Sequence, residues 1–293
     1  MLKKYLSFVM TFIIIFLSAG EARAAEKKQE IVYLPILMYH QISTSKSRLS
    51  EYVISPEEFE NDLKLLQQHG YTTITVADLV KYVNNKGRLP QKPVMITFDD
   101  GFESDYAYAF PLLKQYKMKA VFSILGKYTD MFSEKDVHKN LRYSHISWDQ
   151  IKEMHESGLA EFNNHTYNMH DNRVRRGALK RSNESEAEYR KVMVKDLGTL
   201  NAEFEKYINY NPPAFACPFG HYNDTLCQIL KDFGFSAVLT SYQKLNKLTG
   251  NPEELYHLNR YVRPHNMDLE KLIKSWEATI EKEVGQSPTQ LFP

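Results

Sequence analysis

The stretch Pro93-Val94-Met95-Ile96-Thr97-Phe98-Asp99-Asp100-Gly101 decides how this chain is read. Its first four residues are an apolar run of strand type. Gly101 permits a sharp exit that leaves two adjacent carboxylates at the strand's mouth. Carboxylates buried side by side resist joint ionisation unless a cation compensates. A metal site in which one acid is a ligand and the other a base meets that constraint. Taken alone, Asp-Asp-Gly after a strand is also an ordinary turn.

Outward from this strand the chain alternates strand and helix patterns. Ile31 to Met38 is strand-like. Ser55-Pro56-Glu57-Glu58 starts a helix running to His69-Gly70, with a capping Ser, a Pro at the first position and a Glu three residues on. Val76 to Asn84 and Ser104 to Tyr116 are further helices, and Ala120 to Leu125 a further strand. Ser147-Trp148-Asp149-Gln150 opens a helix ending at Gly158, where Trp148 either packs on the core or stacks on a sugar. Asp171 to Arg190 reads as a charged, solvated loop before a helix from Glu186 to Tyr207, with contact to an anionic cell envelope as the alternative. Alternation of this kind predicts an α/β fold with a mostly parallel sheet or barrel, and catalytic loops at the C-terminal ends of its strands.

The ten histidines supply candidate ligands. Asn163-Asn164-His165-Thr166-Tyr167-Asn168-Met169-His170 follows a short strand from Leu159 to Phe162. Five residues along a helix is about 500°, which points the two rings about 140° apart, and on a strand they face opposite sides. Two ligands for one ion therefore need an irregular turn, which Asn and Thr favour. Neutral imidazole with a carboxylate suits zinc and related divalent ions. Two surface histidines in a polar loop is the plainer reading of this segment alone.

A third segment, Phe215-Ala216-Cys217-Pro218-Phe219-Gly220-His221-Tyr222, lies after Pro212-Pro213 and before a helical pattern from Asp224 to Phe233. With the first two, it resembles the motif series of the polysaccharide deacetylase family, also called carbohydrate esterase family 4 or the NodB homology domain. The resemblance runs from about Ile31 to Trp276 and implies a single-domain distorted (β/α) barrel. It implies Asp99 as catalytic base and Asp100, His165 and His170 as ligands of one divalent ion, either zinc or another transition metal such as nickel, cobalt or iron. The backbone N–H of Phe219 would stabilise the oxyanion.

In most members the paired histidines are four apart, whereas here Met169 holds the fourth position. The five-residue spacing, with Pro35-Ile36-Leu37-Met38-Tyr39-His40, resembles the deacetylases of poly-β-1,6-N-acetylglucosamine. That subgroup implies His40 as the acid protonating the leaving amine, in competition with His265 of Arg263-Pro264-His265. Nearby carboxylates such as Asp99 would favour a charged His40 imidazolium. Where many members carry an Arg that orients the base, this chain has Cys217, so Asp99 is expected to lack that partner. The implied reaction is metal-dependent release of acetate from the extracellular polymer. The same chemistry on chitin or peptidoglycan, a noncatalytic carbohydrate-binding protein and a structural surface protein are the alternatives.

Composition agrees with export. In a chain of 293 residues, 43% hydrophobic and 13% aromatic content is enough for one sizeable core. Lys3 and Lys4, the apolar run Tyr5 to Leu17 and Ala22-Arg23-Ala24 read as a secretory signal peptide over residues 1–24. A short linker at 25–30, the deacetylase domain at 31–284 and a frayed tail at 285–293 follow. Removing the signal takes the formal charge from +1 to −1, with 34 basic and 35 acidic residues left. No nucleic-acid footprint exists in such a chain. A secreted monomer is expected, with peripheral contact to the envelope and with Cys217 and Cys227 as free thiols.

Overall fold

The computed structural model describes residues 31–134, 140–173 and 175–285. The expected signal peptide, the expected linker and residues 286–293 of the expected tail lie outside the described residues. None of the described helices is long and apolar enough to cross a membrane.

The strand Pro93–Asp100 is the centre of an eight-stranded sheet. On one side of it lie, in order, Ala120–Ile124, Ala160–Asn164, Ala214–Ala216 and Ala237–Leu239. On the other lie Ile36–Tyr39 and Tyr261–Val262, and Thr72–Thr73 pairs with its first residues. Every pairing in this sheet is parallel. Parallel sheets bury both faces, which is why the central strands read as near-continuous apolar runs. The sheet curls without pairing its two edges and so forms the expected distorted barrel, incomplete between Ala237–Leu239 and Tyr261–Val262. The first expected strand is split at Pro35 into Val32–Leu34 and Ile36–Tyr39, and the former pairs antiparallel with Asn246–Leu248.

Register explains how the sheet is held. Tyr39, Phe98, Phe122 and Phe162 are partners across four neighbouring strands, and their rings lie 5.1–5.7 Å apart in sequence across the sheet. Helices Pro56–Gln68, Trp148–Glu156, Glu186–Ile208 and Leu269–Gly285 contribute Phe59, Ile151, Phe204 and Ile273 to this core. The residues that alternate with the rings face the other way, so Thr97 and Asp99 point away from Phe98.

Capping boxes occur at Ser55, Thr75, Ser147 and Ser185. The expected helix from Ser104 begins instead as a π-turn, Asp105–Ala109, before Phe110–Tyr116. Trp148 is a core residue: its indole N–H donates to Asp130 and its ring packs on Phe204 and Tyr207. Both cysteines are buried and unpaired. The loop from Asp171 to Arg190 is less solvated than its charge pattern predicts, because Arg175 is 8% exposed and forms a fork with Glu184 at 2.7 Å on both arms.

Candidate active site

Adjacent strand residues normally face opposite sides of a sheet. At Asp100 the backbone turns left-handed, with φ 74°, and breaks that alternation. Both carboxylates therefore sit at the C-terminal end of Pro93–Asp100, as expected. Thr166 at φ 81° and Phe219 at φ 56° repeat the device at the ends of two neighbouring strands. Such conformations cost about 1–3 kcal/mol each for residues with a Cβ and persist only where the surroundings impose them.

The surroundings here are specific. The N–H of Thr166 donates to Asn164, and those of Tyr167 and Asn168 donate to the two oxygens of Asp196 on the helix Glu186–Ile208. This turn brings His170 back beside His165, with ring centroids 5.1 Å apart. The five-residue spacing is thereby accommodated, and Asp196, which nothing in the sequence singled out, holds it. Behind Phe219, a Cβ on Gly220 would lie 1.6 Å from Ser241 Oγ, so only glycine fits there. The turn's own hydrogen bonds begin at the Gly220 N–H, which donates to Cys217 O at 2.9 Å. The Phe219 ring covers His170 at 4.1 Å.

Asp100, His165 and His170 offer one donor atom each, all within 4.8 Å of one another. Asp100 Oδ1 lies 3.5 Å from His165 Nε2 and 3.4 Å from His170 Nε2, and this buried oxygen has no hydrogen-bond partner. Ligands at about 2.0–2.1 Å from a tetrahedral ion lie about 3.3–3.4 Å apart, so the donors fit one divalent ion. The second shell agrees: His165 Nδ1 lies 2.9 Å from the Ala216 carbonyl and donates to it, which turns the lone pair of Nε2 toward Asp100. Burial pushes the Asp100 carboxyl up, but the imidazoles facing it, His165 first and then His170, hold it well below the usual carboxylate range. Burial lowers His170, which keeps it in the neutral form a ligand needs.

Asp99 has a partner that the sequence reading denied it. Arg260 donates Nη1 to Oδ1 and Nη2 to Oδ2, each at 2.7 Å, and its Nε donates to the Thr240 carbonyl. The arginine missing at Cys217 is supplied from the segment between Leu258 and Tyr261, where it is 1% exposed. Burial raises the Asp99 carboxyl, and the Arg260 charge outweighs it, leaving a net downward shift. Leu258-Asn259-Arg260 carries no motif that a single sequence makes legible.

His40 lies at the end of Ile36–Tyr39 with its ring edge-on to Tyr52 at 4.9 Å, and its buried Nδ1 has no hydrogen-bond partner. Asp99 and Asp100 act on it electrostatically, but burial outweighs them and lowers the imidazole below its ordinary value. The expected imidazolium is therefore a correction: desolvation wins over the carboxylates. His265 lies against Glu58, Nδ1 to Oε2 at 2.9 Å, and its backbone N–H donates to Ser50 O. His145 borders the site, its ring stacked on Tyr128 at 4.6 Å and tilted against Phe102 at 4.9 Å.

Comparison with known proteins defines the class. The family model described as polysaccharide deacetylase matches residues 86–238. The poly-beta-1,6-N-acetyl-D-glucosamine N-deacetylase of Staphylococcus aureus (strain MRSA252) is 31% identical over 240 residues, 82% of this chain and 77% of the relative. Among solved structures, a de-N-acetylase from Aggregatibacter actinomycetemcomitans has a TM-score of 0.71 at 25% identity, covering 84% of this chain and all of its own. IcaB from Ammonifex degensii has a TM-score of 0.67 at 29% identity, covering 83% of this chain and 96% of its own. The chain belongs to the polysaccharide deacetylase family and is an enzyme of that class.

If the three donors form one coordination sphere, His170→Ala retains far less divalent metal than the wild type after dialysis, with the fold intact by circular dichroism. Equal metal content by elemental analysis would separate His170 from the site.

Proposed function

We propose that this enzyme is a secreted, metal-dependent N-deacetylase of poly-β-1,6-N-acetyl-D-glucosamine. The observation that carries the reading is the meeting of Asp100, His165 and His170 beside a carboxylate, Asp99, that is forked by a buried arginine. The substrate assignment is supported by the similarity to the staphylococcal deacetylase over most of both chains. The export assignment is supported by the residues of the N-terminal segment, Lys3 to Ala24.

A divalent ion, zinc or another transition metal such as nickel, cobalt or iron, would supply Lewis-acid polarisation and a water of lowered pKa. Asp100, His165 and His170 would hold it. Asp99, kept ionised by Arg260, takes a proton from the attacking water. The Phe219 N–H donates to the oxyanion that develops on the acetamide carbonyl. His40, neutral before the reaction, then delivers to the departing nitrogen a proton gained during the cycle, for which the one removed by Asp99 is a source. Acetate leaves, and a neutral sugar becomes a glucosamine that carries positive charge, which attracts the polymer to anionic surfaces.

Acetate release is the test. Purified enzyme is expected to deacetylate β-1,6-linked N-acetylglucosamine oligomers faster than β-1,4-linked ones, and a chelator is expected to stop both reactions. Preference for the β-1,4 series would transfer the enzyme to chitin or peptidoglycan, and chelator-resistant turnover would remove the metal from the mechanism.

The acid assignment predicts a contrast. His40→Ala loses most of kcat, about 10²- to 10⁴-fold for a general acid, with metal content unchanged, and His265→Ala costs little. The reverse order would return the role to His265.

A further inference from the structure

Two segments leaving the active site line an open surface cavity of about 420 Å³. One is the turn that follows His40, from Ile42 to Arg48, and the other includes Leu141 and Arg142, three residues before His145. Gln41, 5% exposed, ties the two together by donating Nε2 to the carbonyls of Leu141 at 3.2 Å and Arg142 at 3.0 Å. Arg48 is set by the same clasp, since its Nη2 donates to Gln41 Oε1 at 2.5 Å and to Arg142 O at 3.1 Å.

Arg48 and Arg142 line this cavity together. Among the described residues, neither guanidinium has a carboxylate partner, a property shared with Arg88, Arg176 and Arg181; what sets this pair apart is that both line one cavity. Burial, and then the charge of Arg142, lowers Arg48 from its ordinary value. Ser43, Thr44, Ser45, Ser47 and Tyr108 add hydroxyl-bearing residues to the lining, and Ile42 and Leu141 its apolar part. Two cations held beside one cavity repel one another until an anion lies between them. Guanidinium forks and hydroxyls match the oxygens of a phosphate group. The cavity is larger than a bare phosphate ion, which leaves room for the molecule to which such a group is attached.

We propose that this cavity is a subsite for a phosphate group carried by the glycan, occupied while a neighbouring sugar lies in the active site. The polymer-borne part of the proposal rests on the deacetylase reading and on the sequence adjacency of the lining segments to His40 and His145, which border the site. The subsite lets the enzyme favour phosphate-bearing stretches of envelope polymer over neutral ones.

Two measurements on the metal-loaded enzyme test it, with Arg142→Gln as the main variant because Arg142 is exposed and lies outside the catalytic groups. In calorimetric titration with inorganic phosphate, the wild type is expected to bind and Arg142→Gln to bind roughly tenfold more weakly, the loss typical of one charge-assisted contact. Phosphate held only at the metal centre would bind both proteins alike and would overturn the subsite. Acetate release from a neutral N-acetylglucosamine oligomer is expected to be equal in the two proteins. Release from an oligomer bearing a phosphate monoester is expected at a lower KM in the wild type alone. Phosphate binding that depends on Arg142 without that KM difference would overturn the glycan assignment and leave free phosphate as the ligand. Failure of both proteins on the neutral oligomer would overturn the proposed function, while the titration would still decide the cavity. Arg48→Gln is expected to behave as Arg142→Gln does in the titration.

Discussion

The forked pair between Arg260 and Asp99 is the interaction on which the site depends. Two adjacent aspartates lie at one strand end, and each is buried enough to favour its neutral form. Asp100 is held below its ordinary value beside the two histidines, and Asp99 by a guanidinium that meets both its oxygens at 2.7 Å. A buried pair of this kind contributes little net stability, but removing one partner costs about 3–5 kcal/mol because the other charge is stranded. In the proposed mechanism its value is chemical, since it divides two identical side chains into two roles.

The fold serves that division. The ring ladder from Tyr39 to Phe162 fixes the register of four strands, and the register sets which residues stand at their C-terminal ends. Left-handed turns at Asp100, Thr166 and Phe219 then redirect three of those ends into one mouth. A second buried network, Arg263 with Asp62 and the Tyr39 hydroxyl, anchors the strand that presents His40 to the helix Pro56–Gln68. Strain at the site and rigidity beneath it are complementary, because the left-handed residues hold only while the strands do not shift.

Much of this was legible in the sequence, and the limits have physical causes. Local signals carried the helix starts, since Ser55, Ser147 and their glutamate or glutamine partners act within one turn of backbone. The apolar run before Asp99 carried the central strand. The distance between His165 and His170 announced an irregular turn, but its support by Asp196 depends on a helix some thirty residues on. Arg260 was missed for a similar reason, lying 161 residues from Asp99 in a segment with no periodic pattern. The charge state of His40 was misjudged because sequence shows neighbours and not desolvation. Arg175 was misplaced on the surface because a charge run does not reveal which of its members turns inward to Glu184.

The central claim is that Asp99 is the base and that Arg260 keeps it ionised, and the pH–rate profile of Arg260→Met tests it most directly. In the wild type the folded carboxyl titrates below its ordinary value, so the acidic limb of kcat/KM lies low. Without the guanidinium, burial is unopposed, the carboxyl binds its proton at higher pH, and the base is lost sooner as pH falls. The account predicts that the acidic limb moves upward in pH while metal content and circular dichroism stay those of the wild type. An acidic limb that stays in place in a folded, metal-loaded variant would contradict it.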